Sequence, residues 1–195
     1  ILILYSNILN KKIKKDSKKF YLLLLFLFLS IVAFIRIYSN FLPFTPDSIA
    51  YLDKQYRPDF FGPNFYEGFI NIINIFFGEN VQILILINII FYCLAIMELI
   101  LLVSNYTNKN FSIFFFFAFF LPSVSWFIPG ILRESLFIYF NVMILKYSLS
   151  ISKNSKFILM PFISLISFSC LSFLLRPQVL PVLFVWLSFI LIKRR

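Results

Sequence analysis

The sequence predicts an all-α, polytopic membrane protein, and three observations support this class. Hydrophobic residues make up 61% of the 195 residues and charged residues only 13%, whereas soluble domains are roughly half apolar and a quarter charged. The mean hydropathy is +0.92. The apolar residues also fall into separate runs, several of which approach the roughly 20 residues that a spanning helix needs. Together these observations exclude an ordinary soluble domain and a disordered chain.

Six apolar runs are candidate transmembrane helices. They cover residues 20–35, 81–103, 111–128, 131–151, 157–175 and 178–192. The first run follows six lysines, but no small-residue cleavage site comes after it, so a membrane helix is favoured over a signal peptide. The last run is short and could be re-entrant. That alternative would place the basic residues 193–195 outside, which disfavours it.

Residues 37–80 separate the first two runs and have a different composition. Four prolines and Gly62 within residues 37–64 predict a loop. Residues 65–77 predict a short amphipathic helix, because Glu67, Asn71 and Asn74 recur at helical spacing on one face. This helix is too short to span, so we expect it at the membrane interface. We expect Gly78 to end it.

The charge distribution predicts the orientation of this single membrane domain, residues 1–195. The net charge is +10, and the lysine-rich segment 1–19 places the N-terminus in the cytoplasm. Most cations then face the cytoplasm, where topology and anionic lipid explain them without a nucleic-acid partner. We therefore expect a multi-pass protein of the cell membrane. Its outer side receives Arg36, Lys54, Arg57, Arg133, Arg176, Asp47, Asp53, Asp59, Glu67, Glu79 and Glu134.

Other features of the sequence narrow the chemistry. Histidine is absent, which excludes histidine-based catalysis and metal ligation by histidine. Cys93 and Cys170 lie in apolar runs, so a disulfide framework is not expected. No cofactor is required, although loop carboxylates could bind Mg²⁺ or Mn²⁺. The first methionine is Met97, so we expect the chain to be incomplete.

Ionisable residues beside apolar helices are the candidate functional groups. Arg133, Glu134 and Arg176 adjoin predicted spans, where such groups usually face a cavity or a partner. Each could instead have a structural role, as a snorkelling side chain, an ion pair or the marker of a helix end. Asp47 could be catalytic, or it could cap a turn or helix after Pro46. Glu98 lies within the second run, and we expect it to pair or to reach the interface.

Two short motifs of the first loop resemble the GT-C superfamily of membrane glycosyltransferases, and two later motifs resemble bacterial polysaccharide-assembly membrane proteins of this broad type. They are FTPDSIAYL at residues 44–52, GPNFYEG at residues 62–68, PSVSW at residues 122–126 and LRES at residues 132–135. The resemblance covers roughly residues 20–176. It implies transfer of a sugar from a polyprenyl-phosphate carrier, on the extracytoplasmic side, to a glycan or lipid acceptor in cell-surface glycan assembly.

The resemblance also implies roles for particular residues. Asp47 would be the catalytic base for the acceptor hydroxyl. Arg133 and Arg176 would bind the lipid phosphate, because the planar guanidinium can contact phosphate oxygens in pairs. The remaining candidates for substrate binding are Glu134, Tyr51 and Glu67.

Three other functions compete with this one. A polysaccharide polymerase of the O-antigen or capsule type would also need outer arginines. A transporter component would place its ionisable residues near the midplane, whereas most of them here are predicted at one interface. A non-catalytic membrane subunit is the remaining alternative.

Overall fold

The computed structural model describes residues 15–39, 49, 63–107, 128–131, 133–153 and 159–179. All regular structure within these residues is helical, which confirms the predicted all-α class. The elements are α1 (Lys15–Tyr38), α2 (Pro63–Phe77), α3 (Val81–Thr107), α4 (Glu134–Lys153), α5 (Leu159–Leu175) and a 3₁₀ turn (Pro177–Val179). Two predicted spans lie almost entirely outside the described residues. Only Ile128 of the span at 111–128 and residues 178–179 of the span at 178–192 are described.

Two of the described helical segments are long and apolar enough to cross a membrane. They are Val81–Val103 within α3 and Glu134–Ser152 within α4. Leu22–Tyr38, Phe65–Phe77 and Leu159–Leu175 are apolar but shorter. These properties suggest membrane association. The larger number of spans and the orientation stay predictions.

The junction between α2 and α3 is built by Gly78 and Asn80. Gly78 has a φ of 73°, and its amide donates to the Asn74 carbonyl at 2.9 Å. A glycine in this left-handed conformation is a common end of a helix. Asn80 then caps α3, because its Oδ1 accepts a hydrogen bond from the Gln82 amide at 2.9 Å. The predicted helix end at Gly78 is therefore confirmed.

Helix α3 is the centre of the bundle, because α1, α2 and α4 all pack against it, while α5 packs on α4. The buried face of α1 consists of Leu25, Leu29 and Ala33, which recur every fourth residue. Arg36 comes three residues later on the same face, and it is also buried. Helical periodicity therefore carries a guanidinium into the bundle on an otherwise apolar face.

A row of aromatic rings connects α2, α3, α4 and α5. The centroids of Phe69 and Phe91 are 6.1 Å apart, and those of Phe91 and Tyr139 are 5.4 Å apart. Tyr139 then meets Phe168 edge to face at 6.2 Å. Such pairs stabilise a fold by roughly 0.5–1.5 kcal/mol beyond the burial of their area. Some of the 29 phenylalanines thus contribute specific contacts between helices as well as apolar bulk.

An ion pair joins α3 and α4, the helices that contain the two candidate spans. Lys146 of α4 donates to Glu98 Oε1 of α3 at 3.0 Å, and its Nζ lies 2.9 Å from Oε2. The Glu98 side chain is 1% exposed and that of Lys146 is 30% exposed. An isolated carboxylate is costly inside an apolar medium. The pair therefore neutralises Glu98, which agrees with the expectation that this residue finds a partner.

The conformation of Gly78 predicts opposite effects of alanine at the two glycines of this region. A Cβ atom at Gly78 or at Gly68 would meet nothing within 4 Å, so crowding does not distinguish the two positions. Gly78→Ala should destabilise the protein by about 1 kcal/mol, because alanine is strained at positive φ. Gly68→Ala, inside α2, should stabilise it by about 0.5–1 kcal/mol. Thermal unfolding in detergent measures both, and a loss of stability in Gly68→Ala would contradict this account.

Removing Lys146 should be much more damaging than removing both charges of the ion pair. Lys146→Met leaves the Glu98 carboxylate buried without this cation and should lower the free energy of unfolding by about 3 kcal/mol. The double variant Glu98→Gln with Lys146→Met should recover most of that loss. Lys153→Met, at the end of α4, is the matched control. Equal losses in the single and double variants would show that neutralising Glu98 is not what matters.

Candidate functional site

Three charged side chains make contacts where α4 begins and α5 ends. Arg133 Nη1 donates to the Leu175 carbonyl at 3.2 Å. Arg176 Nη2 forms a hydrogen-bonded ion pair with Glu134 Oε1. In sequence the members of each contact are 42 residues apart. The structure thus brings together Arg133, Glu134 and Arg176, which we call the charged cluster.

Local sequence explains why these charges lie at helix ends. Pro177 follows Arg176, and proline cannot continue a helix because it lacks an N–H group. Glu134 is in the first turn of α4, where the helix dipole favours negative charge. Arg133 contacts the last carbonyl of α5, where the dipole favours positive charge. Each charge is therefore placed favourably even without a ligand.

The charged cluster keeps hydrogen-bonding capacity that its own contacts do not use. Among the described residues, Arg176 Nε and Glu134 Oε2 are buried atoms without a hydrogen-bond partner. The Arg176 guanidinium lies 5.2 Å from the centroid of the Phe137 ring, which restricts its orientation. The side chains of Arg176 and Glu134 are 36% and 30% exposed. The exposed parts of both side chains are therefore accessible to a ligand, while Arg176 Nε and Glu134 Oε2 themselves are buried.

A second set of polar side chains holds the turn that precedes the cluster. Arg36 Nη1 donates to the Pro129 carbonyl at 3.0 Å, and Asn88 Nδ2 donates to the Gly130 carbonyl at 2.6 Å. The Tyr66 hydroxyl donates to Asn88 Oδ1 at 3.0 Å. All three of these residues are buried, with exposed fractions of 3% for Arg36 and 1% for both Tyr66 and Asn88. We call Arg36, Tyr66 and Asn88 the buried polar network.

The sequence alone does not identify this network. Asn88 is a polar residue inside the apolar run 81–103, and Arg36 continues the buried face of α1. Both are signals that a polar side chain must find a partner inside the bundle. The partners themselves could not be identified, because they are backbone carbonyls more than 40 residues away.

The other candidate residues have different positions. Glu67 is buried, whereas Asn71 on the predicted polar face is exposed and Asn74 is half-buried. The three therefore do not share one environment. Among the described residues, Glu67 Oε2 has no hydrogen-bond partner. Its role in substrate binding stays a prediction, and Asp47 and Tyr51 lie outside the described residues.

In the described part of the chain, no three acidic or cysteine side chains are grouped so that they could hold a metal ion. Asp47, Asp53 and Asp59, the loop carboxylates that could bind Mg²⁺ or Mn²⁺, lie outside that part.

Comparison of the chain with protein-family models, curated proteins and solved structures finds no match. A function is therefore inferred from the residues and the geometry of the charged cluster.

The partial exposure of the charged cluster predicts that it contributes little to stability. Glu134→Gln and Arg176→Gln should each change the free energy of unfolding by less than about 1 kcal/mol, because partly exposed ion pairs are weak. Thermal unfolding of the two variants beside Lys146→Met provides the comparison. A loss as large as that of Lys146→Met would show that the cluster is mainly a structural link between α4 and α5.

Proposed function

We propose that this chain is a multi-pass membrane glycosyltransferase with a cytoplasmic N-terminus. It transfers a sugar from a polyprenyl-phosphate carrier to a glycan or lipid acceptor on the extracytoplasmic side. The single observation that supports this best is that Arg133 binds the Leu175 carbonyl and Arg176 pairs with Glu134 where α4 begins and α5 ends. Two guanidiniums beside apolar helices suit a ligand with an anionic head and an apolar tail.

The charge of the cluster favours a monophosphate carrier. Two guanidiniums and one carboxylate give the cluster a net charge of +1. A sugar-phosphate diester has one ionised oxygen, so this charge balances it. A diphosphate carrier, which a polysaccharide polymerase uses, has two ionised groups and would remain partly uncompensated. The glycosyltransferase is therefore favoured over the polymerase.

The proposed reaction assigns separate tasks to the two ends of the substrate pair. Asp47 accepts the proton of the acceptor hydroxyl as its oxygen attacks the anomeric carbon. The bond between that carbon and the phosphate oxygen breaks, and the electron pair leaves with the polyprenyl phosphate. Arg133 and Arg176 stabilise the charge that develops on the phosphate. The proton stays on Asp47 until it is released to solvent.

The two groups of residues should give different defects when they are changed. Arg176→Ala and Arg133→Ala should weaken binding of polyprenyl phosphate roughly 10- to 100-fold, because each loses charge-assisted hydrogen bonds. Asp47→Asn should bind the lipid normally but should form no cell-surface glycan. Binding in lipid nanodiscs and glycan staining of cells that express the full-length protein measure the two effects.

Arg57→Ala is the matched control, because it removes an arginine that is predicted on the same side of the membrane. It should retain both lipid binding and glycan. Full glycan in Asp47→Asn and Arg176→Ala at normal protein levels would refute the proposed enzyme. An equal loss of lipid binding in Arg57→Ala would show that the ligand senses overall charge and not the cluster.

A further inference from the structure

The buried polar network ends on a turn that leads directly into the charged cluster. Pro129 and Gly130 supply the two carbonyl acceptors. Arg133 follows Gly130 by three residues, and α4 begins at Glu134. The donors to these carbonyls are Arg36 on α1 and Asn88 on α3, and Tyr66 on α2 donates to the Asn88 side-chain oxygen. Two helices therefore hold the backbone just before the residues that we assign to the ligand, and a third helix holds Asn88.

Packing alone does not account for this arrangement. Burial of a guanidinium is costly, and apolar side chains of similar volume often pack as stably as a buried polar group. What polar groups add is directional: a hydrogen bond to a particular carbonyl fixes the position of that peptide more closely than apolar contact does. The turn residues Ile128, Pro129, Gly130 and Ile131 are themselves buried, so their carbonyls need donors from the protein.

The geometry of the cluster makes such fixing consequential. Arg133 reaches the end of α5 through one hydrogen bond of 3.2 Å, and Glu134 meets Arg176 through single side-chain atoms. These are contacts between two helices, so a shift of the turn changes the spacing of both guanidiniums. A ligand that needs both of them is sensitive to displacements of about 1 Å.

From this geometry we infer that Arg36, Tyr66 and Asn88 are positioning residues for the charged cluster. They act through the 128–131 turn, which sets where Arg133 and Glu134 lie relative to Arg176. The inference about ligand affinity rests on the proposed function. The inference about position does not, because it concerns the distance between α4 and α5 ends in the protein without ligand.

Chemical cross-linking tests the position. The full chain carries Glu134→Cys and Arg176→Cys, and Cys93→Ala and Cys170→Ser remove its own thiols. A short bifunctional thiol reagent then joins the two introduced cysteines. Asn88→Ala should reduce the cross-linked fraction of folded protein several-fold, and Tyr66→Phe should reduce it less. Tyr92→Phe, a buried tyrosine one helical turn from Asn88, is the control and should not change it.

An unchanged cross-linked fraction in folded Asn88→Ala would overturn the inference. If Asn88→Ala does not fold, Tyr66→Phe decides, because it removes only one hydroxyl group. If the cross-linked fraction of Tyr66→Phe equals that of the protein with an unsubstituted network, the inference is overturned. An equal reduction in Tyr92→Phe would also overturn it, since the effect would not be specific to the network.

A double-mutant cycle tests the consequence for the ligand. In lipid nanodiscs, Asn88→Ala should weaken binding of polyprenyl phosphate about tenfold, but it should add little in the Arg133→Ala protein. Additive losses would overturn action through Arg133. If the unsubstituted protein does not bind polyprenyl phosphate, the proposed function fails, while cross-linking still decides the positional part.

Discussion

The turn at residues 128–131 is the point on which the described part of the bundle depends most. It lies inside the protein, so its carbonyl groups cannot be hydrated and need internal donors. Arg36 and Asn88 donate to the carbonyls of Pro129 and Gly130, and Tyr66 in turn donates to the Asn88 amide oxygen. Three helices are thereby tied to the segment that starts α4. The apolar contacts allow many similar packings, but these directed bonds select one.

The charges of the described helices fall into two physical classes. Glu98 is enclosed between α3 and α4, and Lys146 neutralises it, so this pair concerns assembly of the helices. The Arg176 and Glu134 side chains are about one-third exposed, and polar atoms in both lack hydrogen-bond partners among the described residues. We expect that pair to add little to stability, and its exposed part is accessible from outside the bundle. Burial, and not charge itself, separates the two classes.

The members of the charged cluster could be predicted from the sequence, but their contacts could not. Arg133, Glu134 and Arg176 stood out because ionisable groups beside apolar helices are unusual. Their meeting could not be deduced, since adjacent helical residues diverge by about 100° and the pairing crosses 42 residues of sequence. The ends of α2 just before Gly78 and of α5 shortly before Pro177 were predictable, because glycine and proline act locally. Glu67 shows the opposite case: its spacing indicated a polar face, yet packing of α2 buries it.

Sequence by itself determined the all-helical class, the approximate limits of the described helices and the concentration of candidate groups near helix ends. These properties follow from composition, from helical periodicity and from local effects of glycine and proline. Tertiary structure decided which polar groups meet. Arg36 with Pro129, Asn88 with Gly130, and Arg176 with Glu134 are contacts between distant segments, and their geometry depends on how whole helices pack. Periodicity places a side chain on a face, but only packing determines what that face contacts.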